Sequence, residues 1–106
     1  VSDNGTGRYV KLPIPVYAMQ LTDATAIVRA SEWIKANGGD CSWATATVSG
    51  AIQDAGNNRL TIHTLEGKMT GTLGDWIVRG AMGEFWPVRG DIFAATYRPA
   101  TAEEMA

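Results

Sequence analysis

The sequence predicts an α+β domain: an antiparallel β-sheet of about five to six short strands, partly a meander, with one amphipathic helix packed on a face and a short C-terminal helical turn. Three observations predict it. Residues 23–37 repeat apolar side chains at three- and four-residue spacing and stop at Asn37-Gly38-Gly39. From Arg59 onward, short alternating runs are punctuated by glycine-bearing turns. The chain has 106 residues, 45% apolar and 19% charged, which suits one globular domain and leaves no room for two.

Tyr9 to Thr22 reads as extended. Pro13 and Pro15 bar a helix and favour a strand entry or an edge. Beyond them Val16, Ala18 and Gln20 alternate with Tyr17, Met19 and Leu21, so both faces are largely apolar and Gln20 needs a polar partner if buried. Thr22 or Asp23 caps the helix that follows. Ile27, Ala30, Trp33 and Ile34 form its apolar face, and Arg29, Glu32 and Lys35 lie opposite. Trp33 and Ile34 are expected to anchor the helix against a sheet.

Residues 42–52 alternate and are rich in β-branched side chains, which predicts a strand; residues 53–58 form an exposed turn. Arg59 to Thr64 is a cleaner strand, with Leu60 and Ile62 on one face and Thr61 and His63 on the other. Glu66-Gly67 turns the chain, and Lys68 to Leu73 returns as the second arm of a hairpin. Gly74 supplies a tight turn, and Asp75 bonds neighbouring amides to fix the entry of the strand Trp76 to Arg79. Gly80 and Gly83 bracket the next turn, and Glu84 to Val88 pairs back, with Pro87 at a strand end or an edge. Asp91 is expected to cap a short helix from Ile92 to Tyr97. Residues 1–8 read as a flexible leader, 9–100 as the single domain and 101–106 as a frayed acidic tail.

The net charge is −2, and the nine basic residues are scattered without a stripe that would neutralise phosphates, so no nucleic acid is expected as a partner. No segment approaches the roughly 20 apolar residues of a membrane span, and no basic start followed by an apolar run marks a signal peptide. One cysteine, Cys41, forms no internal disulfide, so nothing demands an oxidising compartment and the cytoplasm is the expected location.

Residues 64–97, from Thr64-Leu65-Glu66-Gly67 to Thr96-Tyr97, carry a more specific pattern. Its parts are Gly74-Asp75-Trp76-Ile77, then Gly83-Glu84-Phe85-Trp86-Pro87, then Asp91-Ile92-Phe93. This run resembles a family of small bacteriophage and prophage proteins, and Pro13, Ala18, Gln20 and Thr22 resemble that family's opening. Trp86 stands where those proteins have tyrosine, and Arg89-Gly90 where they have lysine-proline. The resemblance covers about a third of the chain. It implies a phage or prophage origin and implies no reaction.

Few residues suggest chemistry. His63 is the only histidine; with no second ligand in sight it points to no metal site, and as a base it lacks a visible partner. Cys41 with His63 is the sole thiol dyad to consider, and Asp40 beside the thiol opposes its activation. No carboxylate spacing or glycine fingerprint indicates a cofactor. Arg89-Gly90-Asp91 spells an adhesion tripeptide but reads more simply as the link from a strand to a cap. The residues singled out for binding are Trp76, Arg79, Glu84, Trp86 and Arg89. Phe85 and Trp86 are adjacent in a strand and point to opposite faces, so one of them leaves the core unless both faces are covered. Exposed Trp beside Arg suits an interface with a host or phage protein, or with a second copy in a homo-oligomer. The expected function is therefore an accessory protein that binds a host protein, a small ligand or itself, without catalysis. The alternatives are a virion assembly component and a small hydrolase using His63 or a carboxylate pair.

Overall fold

The computed structural model describes residues 5–45 and 58–105. The leader's first four residues, the second half of the strand expected over 42–52 and most of the turn at 53–58 lie outside the described residues. The architecture is α+β. Strand β1 (Tyr17–Gln20) leads into helix α1 (Ala24–Ala36). Strands β2 (Asp40–Ala44), β3 (Arg59–Thr64), β4 (Gly67–Thr72), β5 (Trp76–Arg79) and β6 (Phe85–Val88) follow, and helix α2 (Gly90–Thr96) comes after them.

The strands form two antiparallel three-stranded sheets rather than one. The first has the order β1-β5-β6 and the second β2-β3-β4. The reason lies at Leu73-Gly74-Asp75. Consecutive β4 and β5 do not pair, because the chain leaves the second sheet here and is claimed by the end of β1. Leu21 N–H donates to the Asp75 carbonyl at 2.8 Å, and Gly74 N–H donates to the Leu21 carbonyl at 2.8 Å. Gly74 takes a φ of +95°, the left-handed conformation that the turn requires. The Asp75 carboxylate accepts from Thr72 N–H at 2.9 Å and closes the same turn.

Helix α1 begins where the sequence indicates. Asp23 is the cap, and its carboxylate accepts from Ala26 N–H at 2.8 Å. It ends at Asn37, with Gly38 at a φ of +84° and Gly39 N–H returning to the Ile34 carbonyl at 2.9 Å. Ile27, Ala30 and Ile34 are buried. Trp33 stays half-buried and meets the Phe85 ring edge-on, with centroids 5.1 Å apart.

The core joins both sheets and α1: Leu21, Ile27, Ala30, Ile34, Cys41, Leu60, Ile62, Ile77 and Phe85, with Met19, Trp33 and Leu73 packed against them. The two sheets come close together at Gly71. A methyl group there would lie 3.3 Å from Pro87 Cβ and 3.4 Å from the methyl tips of Ile77 and Leu21.

Helix α2 starts one residue before the expected cap. Arg89 occupies the cap position without a side-chain bond, and Asp91 sits inside the first turn. Its carboxylate pairs with Arg89 at 2.7 Å and accepts from Ile92 N–H at 2.9 Å. These contacts hold the Asp91 carboxyl below the usual carboxylate range, the Arg89 bond most of all. The helix has no buried residue and is held mainly by aromatic stacking. Phe93 lies between Trp76 and Tyr97, with centroids 4.1 and 4.8 Å away. Lys11 closes the stack: its ammonium stands 3.8 Å from the centre of the Tyr97 ring and donates to the phenol oxygen at 2.6 Å. Beyond the helix, Arg98 pairs bidentately with Glu104 at 2.6 and 2.8 Å. Among the described residues, no helix is long and apolar enough to cross a membrane.

Candidate functional site

Two glycine turns face a common hollow of about 600 Å³. Each is stiffened by its own chemistry. In the β3–β4 turn, the Thr64 hydroxyl donates to the Gly67 carbonyl at 2.6 Å and accepts from Glu66 N–H at 3.2 Å. The side chain thus acts as a local brace, and it leaves Leu65 fully exposed at the turn's tip. In the β5–β6 turn, Gly80 N–H donates to the Glu84 carbonyl at 2.8 Å and Gly83 N–H donates back to the Gly80 carbonyl at 3.0 Å. Glu84 and the Trp86 ring lie over Gly80, where a Cβ would collide with Trp86 at 2.7 Å.

The hollow is walled by these turns, by Asn37-Gly38-Gly39 after α1, and by the ends of β2 and β3. Ile62, Leu65, Met69, Phe85 and Trp86 supply its apolar surface; Asp40, Glu66 and Glu84 supply carboxylates. Met69, on the outer strand of its sheet, is 41% exposed, so a ligand entering here covers apolar surface now open to water. The segments Thr64-Leu65-Glu66 and Gly83-Glu84-Phe85-Trp86, about twenty positions apart in the sequence, both line the hollow.

The residues singled out for binding do not form one cluster. Glu84 and Trp86 line this hollow. Trp76 lines a separate groove of about 440 Å³, between residues 11–16 and α2 with the segment after it, and stacks on Phe93 there. Arg79 lines neither; its guanidinium stands 5.9 Å from the centre of the Phe85 ring, and its Nε is buried without a hydrogen-bond partner among the described residues. Arg89 is engaged by Asp91. Phe85 turns into the core, and Trp86 takes the other face, half-buried.

His63 has partners that the sequence did not reveal. Register pairs it with Asp40 across β2 and β3, and its Nδ1 lies 3.0 Å from the Asp40 carboxylate. Its Nε2 lies 3.3 Å from the Ser42 hydroxyl. When the Nδ1–H donates to the Asp40 carboxylate, Nε2 is free to accept from Ser42, the connectivity of a serine–histidine–acid relay. The surroundings differ from those of such a relay. All three side chains stand on the solvent face of the second sheet, with Asp40 76% and His63 33% exposed, so solvent screens the charges. The strand alternation 40, 42 with 63 could have suggested the trio, but only once the β2–β3 register was known. Cys41 points the opposite way: it is buried, its register partner is Ile62, and its thiol lies 3.7 Å from the Ser31 carbonyl. The Cys41–His63 dyad is therefore not assembled. Among the described residues, no group of three His, Cys, Asp or Glu side chains is arranged to hold a metal ion.

Comparison with protein-family models, curated proteins and solved structures returns no match, so function rests on the geometry above.

Proposed function

We propose that the protein is a phage or prophage accessory module that works in the host bacterial cytoplasm by binding, and that the hollow between the two glycine turns is its binding site. One observation carries the reading: both braced turns, which lie in the run that resembles the phage proteins, converge on one apolar recess and hold Leu65 out at its rim. A leucine fixed in water by a rigid turn gains nothing for the fold. Burying it against a partner recovers roughly 1.5–3 kcal/mol. The partner is a host or phage protein, with a second copy of the chain as the competing occupant.

Site-specific photocrosslinking tests this. A photoreactive leucine analogue at position 65 is expected to give a discrete adduct in bacterial lysate. The adduct should disappear when Met69→Lys fills the recess with charge. The same analogue at Leu12, exposed but outside the hollow, serves as the control. An adduct pattern at position 65 no different from that at Leu12 would sink the reading.

A further inference from the structure

We infer that the hollow takes an extended peptide segment in which lysine or arginine alternates with an aliphatic or aromatic residue; the inference rests on the binding reading above and specifies its partner. Charge is the first ground. Glu66 and Glu84 line the hollow, Asp40 reaches it only alongside His63, to which it is bonded, and among the described residues no lysine or arginine lines it. The carbonyl end of α1 arrives at the same place through Asn37 and Gly38 and adds partial negative charge. The basic residues beside the turns do not cancel this rim from within. Lys68 does not line the hollow, whereas Met69, the register partner of Ile62, does. Arg79 does not line the hollow, and its guanidinium stands 5.9 Å from the centre of the Phe85 ring. An apolar floor beneath an acidic rim suits a side-chain pair of one apolar and one basic residue.

Backbone geometry is the second ground, and it favours a peptide over a small amine. Strand β4 is the outer strand of its sheet and pairs only with β3 among the described residues. Lys68, Met69 and Thr70 are exposed along it. An extended segment adding to that edge makes main-chain hydrogen bonds and sends alternate side chains to the Met69 side. The next amide along, Thr72 N–H, is already taken by Asp75, which limits the added strand to the Gly67–Thr70 stretch beside the hollow.

The test uses the full chain and two capped peptides: alternating leucine and lysine, and the same peptide with glutamine replacing lysine. NMR titration reads the Trp86 indole and Met69 methyl signals. At low salt the lysine peptide is expected to shift both and to bind at least about tenfold more tightly than the glutamine peptide, the gap narrowing as salt is raised. Glu66→Lys, at an exposed turn position, should close most of that gap without changing the melting temperature; Glu66→Gln should close part of it. Equal affinity for the two peptides, a gap indifferent to Glu66→Lys, or a concentration-dependent dimer that excludes the peptide each overturns the inference. Tight binding of the glutamine peptide with the same shifts would leave the binding reading standing while removing the basic partner. Shifts confined to residues outside the hollow would overturn the inference as well.

Discussion

Phe93 lies flat on Trp76, with ring centroids 4.1 Å apart and planes within 6°. The pair joins α2, which has no buried residue, to the first sheet. Tyr97 and Lys11 extend the stack to the segments before β1 and after α2. One column of rings therefore does the work that an apolar helix face does elsewhere.

Phe93→Ala should release α2. The expected cost is about 2 kcal/mol, from lost ring burial and a stacking increment of roughly 0.5–1.5 kcal/mol. Chemical denaturation measures the loss, and a red shift in Trp76 emission should accompany it. An unchanged midpoint would show that α2 is held by something other than the stack.

At Gly71 the two sheets come into close contact. Alanine brings its methyl to 3.3–3.4 Å from Pro87, Ile77 and Leu21, contacts that small side-chain shifts can relieve. Valine cannot be accommodated that way, and Gly71→Val is expected to destabilise by about 1–3 kcal/mol through overpacking. Equal melting temperatures for the alanine and valine variants would contradict this.

Arg79 carries a buried Nε without a partner among the described residues. Arg79→Met keeps the stem's packing and removes the unsatisfied donor, so it should be neutral or stabilising by up to about 1 kcal/mol. A marked loss of stability would reveal a bond to this guanidinium that the described residues do not contain.

Glu104 gives a pH signature. The Arg98 guanidinium first, and the Thr101 backbone N–H second, hold its carboxyl at about 2, against an ordinary 4.5. A depressed folded value means that the bridge's stabilisation is fully present above pH 4.5 and is lost as pH falls toward 2. Carboxyl carbon NMR should place the Glu104 midpoint near 2 and return it toward 4.5 in Arg98→Gln. A wild-type midpoint near 4.5 would show that the bridge does not persist in solution.

The Asp40–His63–Ser42 trio offers a direct check on chemistry. Ser42→Ala and His63→Ala are each expected to change stability by no more than about 0.5 kcal/mol, as exposed strand positions do. Ser42→Ala should leave the slow turnover of a nitrophenyl ester unchanged, and His63→Ala should remove only the background that an exposed imidazole gives. An acyl adduct on Ser42, seen by mass spectrometry and absent in His63→Ala, would restore the hydrolase reading.

Much of the fold was legible in the sequence because local rules decided it. Asp23, the helical spacing through Ile34 and the glycines after Asn37 define α1. Alternation located β3, and paired glycines located the turns. Sheet membership was not legible. It depends on Leu21 meeting Gly74 and Asp75 across more than fifty residues, which no local pattern encodes. The Asp91 cap was misplaced by two positions because Arg89 opens the helix without a side-chain bond, so the usual signal is missing. Of the proposed site, Glu84 and Trp86 were readable as turn-adjacent aromatic and acid. Leu65 and Met69 were not, since a hairpin pattern does not say which of its apolar residues stays outside.

Pairing the earliest strand with the next-to-last one imposes an order on folding. The hairpin from Arg59 to Thr72 needs only neighbours and can close within microseconds. Tyr17–Gln20 has no sheet to join until Trp76–Arg79 has left the ribosome. Throughout synthesis of the intervening chain, Leu21 and Ile27 remain without their far-side cover. A chaperone encounter, or a wrong edge-to-edge pairing, is to be expected in that window.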